Sequence, residues 1–250
     1  MPPLHALAIF AAGIAAGAIN TLVGSGTLIT FPILLAFGYA PVTANVSNTV
    51  GLVPGSVAGA IGYRRELEGQ RARALRFAVA STAGGIVGAV PLLSLPASAF
   101  KDIVPAFIVI ALVLIVLQPR IGRALESRRS REKHEAGPLG MLAVFGTGIY
   151  GGYFGAAQGI LLLAILGLSL PTETLQRVNA LKVVLAGLVN LVAGIIFIFS
   201  AHIAWLPALL IAIGSIIGGV AGARWGRRLP PVALRAVIVV VGITAIVRLI

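Results

Sequence analysis

The sequence predicts an all-α integral membrane protein made of two inverted repeats, each a broken or re-entrant helical hairpin followed by three transmembrane helices. Three observations predict it: apolar runs recur along the whole chain, a glycine-rich pattern appears twice, and the basic loops are distributed as inverted halves would distribute them.

The apolar runs set the class. Of 250 residues, 58% are hydrophobic and 10% charged, with a mean hydropathy of +1.04. Soluble domains carry roughly 25% charged residues, so a water-facing surface cannot be assembled from this chain. In hydrocarbon every backbone N–H and C=O must be satisfied internally, which leaves helices or closed barrels. Runs such as 103–117 and 183–199 are continuous, without the alternation of a barrel strand. They therefore span as helices. The 31 glycines and 14 prolines fit this reading, because membrane helices use glycine for close approach and tolerate proline breaks.

Composition also excludes several functions. The chain has no cysteine, hence no disulfide framework and no thiolate chemistry. Its net charge of +12 does not point to nucleic acid, because the basic residues sit in short loops between apolar spans, the positive-inside pattern. The opening MPPLHALAIFAAG lacks the basic region of a cleaved leader and reads as the first membrane segment. The partner this composition implies is the lipid bilayer.

In chain order, membrane segments are expected at 4–23, 27–38, 41–62, 76–95, 102–118, 139–154, 159–169, 175–200, 203–223 and 232–250. A crossing helix needs about 20 residues. The segments 27–38 and 159–169 are too short, and the sequence leaves open whether they are re-entrant or spanning. Residues 1–118 form a first membrane repeat, 119–138 a basic cytoplasmic loop and 139–250 a second repeat. At the heart of that loop stands RIGRALESRRSREKHEAGP, starting at Arg120.

The halves resemble each other. GGIVGAVPLLSLP, from Gly84, matches GGVAGARWGRRLP, from Gly218, in Gly-Gly-x-x-Gly-Ala and in the later Leu-Pro. A shift of 131 positions pairs Gly17 with Gly148, Gly24 with Gly155 and Asn48 with Asn179. Orientation follows from three basic clusters: Arg64–Arg76, Arg120–Lys133 and Arg224–Arg228. Counting each broken pair as one crossing makes the halves parallel and sends the third cluster to the opposite side. Counting it as a hairpin gives each half an odd number of crossings, inverts the halves and puts all three clusters in the cytoplasm. Inverted repeats with discontinuous helices are a recurring transporter design, with the site near the midplane.

The chemistry of the interior is one-sided. The acidic residues, Glu66, Glu68, Asp102, Glu126, Glu132, Glu135 and Glu173, all avoid the middle of an expected span. His5, His134 and His202 lie near ends or in loops without metal-ligand spacing. No metal site, hydrolytic triad, nucleotide loop or other cofactor motif emerges, so neither an enzyme nor direct use of ATP is expected. What the interior holds is donors. Lys182 falls within the run 175–200, where a charge costs several kcal/mol unless paired or hydrated. Asn179, Lys182, Ala186 and Asn190 share one helical face. Asn20 and Ser25 flank the Gly-Ser-Gly break of the first hairpin, and Gln158 stands at the corresponding second break. A half-helix starting after such a break turns free N–H groups and a positive dipole end inward, which favours an anion. Asn45, Ser47 and Asn48 open the next segment, where helix capping would explain them equally well. The expected site is Asn20, Ser25, Asn48, Gln158, Asn179 and Lys182, binding a small anionic substrate. A coupling ion and the oligomeric state are left open.

This arrangement resembles the TauE/SafE sulfite-exporter family of membrane permeases. The resemblance is carried by AGIAAGAINTLVGSGTLITFPILLAFGYAPVTANVSNTVGLVPGSVAG, by Tyr63–Arg65, by GGIVGAVPLLSLP and by a weaker second copy, GGYFGAAQGILLLAILGLSLPTETLQRVNALKVVLAGLVN. Where the family usually carries a run of glycines at the first break, this chain reads Val-Gly-Ser-Gly, and its second copy reads Phe-Gly-Ala-Ala-Gln-Gly. The resemblance implies a secondary transporter of sulfite, an organosulfonate or a related carboxylate, resident in a prokaryotic inner membrane. The competing expectation is a non-transporting membrane subunit or scaffold of a larger complex.

Overall fold

The computed structural model describes residues 1–128, 137–225, 239, 240 and 243. Among the described residues the regular elements are α-helices: α1 Pro3–Leu22, α2 Thr27–Ala36, α3 Pro41–Gly62, α4 Arg71–Ser94, α5 Ala97–Arg128, α6 Pro138–Tyr153, α7 Gln158–Ser169, α8 Leu175–Ser200 and α9 Trp205–Trp225. The expected last span, 232–250, and residues 129–136 of the basic loop fall largely or wholly outside the described residues.

Five helices, α1, α4, α5, α8 and α9, are long and apolar enough to cross a membrane. Helix α3 has the length, at 22 residues, but carries Asn45, Ser47, Asn48, Thr49 and Ser56, all buried. Its polar face turns into the protein, which is where a membrane helix can satisfy such groups. The outward faces are apolar instead: Leu75, Val79 and Val90 on α4 and Leu206, Leu209 and Ile213 on α9 are exposed. The short α2 and α7, of 10 and 12 residues, cannot cross alone.

Three boundaries differ from expectation by five residues or more, one being the start of α5 at Ala97 rather than 102. Helix α4 begins at Arg71 rather than 76, taking three arginines into its first turns. Helix α5 continues past 118 to Arg128, because the early part of the polar stretch, RIGRALESR, is made largely of strong helix formers. That portion of the expected loop is helix.

The halves exchange helices. Helix α1 packs on α9, and α6 packs on α4, while α3 lies against α8 at the centre. The contacts match in detail. Gly84 of α4 presses on the Phe145 carbonyl of α6, and Gly218 of α9 on the Ile14 carbonyl of α1. Ser81 Oγ donates to the Leu185 carbonyl at 3.4 Å, and Ser215 Oγ to the Gly51 carbonyl at 3.0 Å. Phe145 follows Ile14 by 131 positions, but Gly218 follows Gly84, and Ser215 follows Ser81, by 134. Helices α3 and α8 start at Pro41 and Leu175, also 134 apart. The counterpart of Asn179 is therefore Asn45, and Lys182 falls opposite Asn48. The pairing of Asn48 with Asn179 is corrected. Its cause is physical: α7 with its following turn is three residues longer than α2 with its own.

At one end of the bundle Glu173, in the α7–α8 turn, joins the halves. Its carboxylate accepts from Arg73 of α4 at 2.7 Å and from Arg177 of α8 at 2.6 Å. The Arg177 Nη2 also reaches the Glu68 carbonyl at 3.0 Å. Partial burial alone would push the Glu173 carboxyl up, but the hydrogen bonds and charges of the two arginines outweigh it and hold the group below its ordinary value.

Candidate functional site

Both hairpins break the same way. The Ile19 carbonyl accepts from the Val23 N–H at 2.7 Å and from the Gly24 N–H at 3.0 Å, closing α1. The Tyr150 carbonyl accepts from Phe154 at 3.0 Å and Gly155 at 3.1 Å, closing α6. Each break then turns through positive φ, +85° at Gly24 and +74° at Gly155, a conformation that glycine adopts without a Cβ clash. Ala157 follows at φ +60°, an uncommon value for a residue with a side chain. The breaks touch. The Gly159 N–H donates to the Gly24 carbonyl at 3.1 Å, and the backbone of Gly159 occupies the space a Cβ on Gly24 would need. The first turns of α2 and α7, with their positive dipole ends, therefore start at one crossing point.

The six expected site residues divide into three groups around that crossing. Asn20, Asn179 and Lys182 gather at the carbonyl end of α1. Lys182, fully buried, donates from Nζ to the Asn20 and Thr21 carbonyls, at 3.2 Å each. Asn179 Nδ2 donates to the Thr21 carbonyl at 3.2 Å, and Asn20 Nδ2 donates to Ser56 Oγ at 3.3 Å. The ammonium thus stands on the negative end of the helix dipole and satisfies carbonyls that the break frees.

Asn48 instead fixes the start of α2. Its Oδ1 accepts from the Thr30 hydroxyl, and its Nδ2 donates to Thr27 Oγ1 at 3.2 Å. Ser25 and Gln158 stand at the starts of α2 and α7, with 1% and 3% of their surface exposed. Among the described residues, Ser25 Oγ and Gln158 Nε2 find no hydrogen-bond partner. A buried donor without a partner costs about 1–3 kcal/mol, so both atoms are left with unused hydrogen-bonding capacity. Described carboxylates stay in loops or near helix ends, and no group of three metal-ligating side chains occurs among the described residues.

Asn45 is the residue that the capping interpretation missed. The start of α3 has no side-chain cap. Asn45 reaches across the halves instead, its Nδ2 donating to the Tyr153 carbonyl at 3.0 Å, as Asn179 does to Thr21. Its sequence signal was the spacing Asn45–Asn48, which repeats as Asn179–Lys182. Ser47 is no cap either, since its Oγ accepts from the Ala204 N–H at 2.9 Å.

Aromatic rings brace the second break. Phe154 meets Phe31 of α2 edge-on, with centroids 5.1 Å apart, and Phe107 of α5 at 5.9 Å. Beside them a cleft of about 450 Å³ opens between α4, α5 and α6, lined by Pro91, Ile103, Phe107, Ile149 and Tyr153 among others. Its walls are almost wholly apolar, so an anion gains nothing there.

Comparison with known proteins agrees with a transport protein of this size. Residues 9–249 match the family described as sulfite exporter TauE/SafE. The chain is 27% identical over 228 residues to the probable membrane transporter protein YfcA of Escherichia coli K12, covering 91% of this chain and 81% of that one. It is 28% identical over 253 residues to the probable membrane transporter protein ORF9 of Sinorhizobium sp, covering 98% and 92%. A probable membrane transporter protein of Haemophilus influenzae is 28% identical over 225 residues, covering 86% and 83%. No solved structure matches the chain significantly.

Proposed function

Because the chain belongs to the sulfite exporter TauE/SafE family of membrane transporters, we propose that it is a secondary permease for a small anion, namely sulfite, an organosulfonate or a related carboxylate, bound where α2 and α7 cross. The observation that carries the reading is the pair of buried, unpartnered donors, Ser25 Oγ and Gln158 Nε2, at the positive ends of two half-helices that meet. Ser25 and Gln158 donate to the anion's oxygens. Lys182 supplies the positive charge from the end of α1, Asn179 and Asn20 hold that end, and Asn48 holds the first turn of α2. A cation as sole cargo is disfavoured, because carboxylates are absent from the described middle of the bundle.

The reciprocal packing of α1 on α9 and α6 on α4 supports two inverted repeats, and rocking of one half against the other would alternate access. The basic ends of α4 and α5 then face the cytoplasm across a prokaryotic inner membrane.

A thermal-shift screen of sulfite, thiosulfate, sulfoacetate, taurine and simple carboxylates on the purified protein tests this reading, since a ligand stabilises the folded state by mass action. At least one anion raises the melting temperature of the wild type, and Ser25→Ala with Gln158→Leu abolishes that rise. Saturable uptake of the same anion into liposomes holding this chain alone separates a carrier from a silent subunit. Failure of every anion to bind or to enter would refute it.

A further inference from the structure

The two broken helix ends are built alike but filled differently. At the end of α1, the freed carbonyls of Asn20 and Thr21 receive the Lys182 ammonium, and the Thr21 carbonyl also receives the Asn179 amide. At the end of α6 the corresponding carbonyls are those of Gly151 and Gly152. The Tyr150 carbonyl just before them is taken by Phe154 and Gly155, and the Tyr153 carbonyl just after them by the Asn45 amide. Among the described residues no backbone N–H donates to the Gly151 or Gly152 carbonyl, and the nearby Gln158 amide nitrogen makes no hydrogen bond. The position equivalent to Lys182 is Asn48, which turns away to Thr27 and Thr30. Among the described residues no side-chain cation takes the place at α6 that Lys182 takes at α1.

Asn45 completes the set. It is 1% exposed, its amide nitrogen is fixed on the Tyr153 carbonyl, and its Oδ1, on the same amide, is buried without a partner among the described residues. Two backbone carbonyls and one amide oxygen, all neutral, thus stand at the negative end of α6 with no donor among the described residues upon them. Freed half-helix carbonyls are the groups that bind monovalent cations in transporters with discontinuous helices. A divalent ion is a poorer match, because hard divalent cations rely on several carboxylates and no group of three metal-ligating side chains occurs among the described residues.

We propose that the broken end of α6 is a sodium site, formed by the Gly151 and Gly152 carbonyls and Asn45 Oδ1, and that the sodium ion moves with the anion. The proposal rests on the anion-permease reading above. Lys182 is then a built-in cation at one break, and sodium is the exchangeable cation at the other. Gln158 links the two cargoes. Its amide lies against Gly151, so closely that a methyl group at Gly151 would collide with it. It therefore presents a donor to the anion from a side chain that also senses the cation.

The test compares purified wild-type protein in sodium, potassium and choline chloride at equal ionic strength. The melting temperature rises saturably with sodium and stays flat with choline, and Asn45→Ala weakens the apparent sodium affinity at least tenfold. Uptake of radioactive sodium into liposomes, stimulated by the transported anion, decides the matter on the wild type alone if the variant does not fold. Identical melting in sodium and choline, or anion uptake indifferent to sodium, overturns the sodium site while leaving the permease intact. Absence of anion uptake in every salt removes the permease reading, and the coupling with it.

Discussion

The Gly159 N–H donates to the Gly24 carbonyl at 3.1 Å, so the two chain breaks, from opposite halves, are bonded to each other. A backbone contact at this point lets the starts of two half-helices converge without a side chain between them. It also leaves no room for a Cβ at Gly24 or Gly159, so substitution there is poorly tolerated.

Gly24→Ala should therefore be far more damaging than Gly38→Ala. Both glycines have φ +85°, but Gly38 has open space where a Cβ would stand, and Gly24 has the Gly159 backbone. Strain alone costs about 1–2 kcal/mol, and Gly38→Ala should show no more than that by thermal unfolding. Gly24→Ala adds the clash and should melt markedly lower and lose transport. Equal melting of the two variants would mean the breaks do not touch.

Lys182→Met should destabilise the protein as well as stop transport. The methionine fits the apolar surroundings but leaves the Asn20 carbonyl without a donor and the Thr21 carbonyl with Asn179 alone. A buried acceptor stripped of its partner costs about 1–3 kcal/mol. Lys182→Arg keeps a cation and should retain part of the stability. Unfolding in detergent, followed by circular dichroism, separates the two variants, and a Lys182→Met protein as stable as wild type would contradict the role.

Much of this architecture is legible in the sequence, since apolar runs become helices wherever backbone groups have only each other to bond. The expected 41–62 is α3, and 175–200 is α8. The breaks at Gly24 and Gly155 are equally plain, because only a short menu of residues turns the chain there. What stayed hidden has a common cause. Lys182, Asn45 and Asn179 all bond to backbone carbonyls, which every residue carries and no letter of the sequence marks. The role of Asn45 was masked by its place at a helix start, where capping is the ordinary function of asparagine. The true partner of Asn179 was masked by the greater length of α7 and its turn, which a constant shift cannot follow.

Glu173→Gln should loosen the end of the bundle in a pH-dependent way. The carboxyl is held below its ordinary value of 4.5 by Arg73 and Arg177. A group lowered on folding adds stability that is fully present above its unfolded value and is lost as pH falls through the folded one. At neutral pH the variant should be less stable by about 1 kcal/mol, the scale of a partly exposed pair. Melting curves from pH 7 down to pH 3 should show the wild-type advantage shrinking with acid. A constant difference across that range would mean the carboxylate does not latch the halves.

Gly84→Ala and Gly218→Ala should fail to a similar degree, although they lie in different halves. A Cβ at Gly84 would strike the Phe145 carbonyl of α6, and one at Gly218 the Ile14 carbonyl of α1. In each case the obstacle is backbone inside a helix, which cannot turn aside as a side chain can, so the two helices must separate. Separation forfeits close packing along a whole interface, and packing of small residues is what drives helix association in lipid. Gly146→Ala, on the same α6 but with open space around it, is the control, and a helix-interior alanine should leave its melting unchanged or raise it by up to about 1 kcal/mol. Melting temperatures of the three variants in one detergent test the exchange of helices directly. Matched losses at Gly84 and Gly218 with none at Gly146 follow from reciprocal packing, whereas a loss at one glycine alone would mean that the two interfaces are not equivalent.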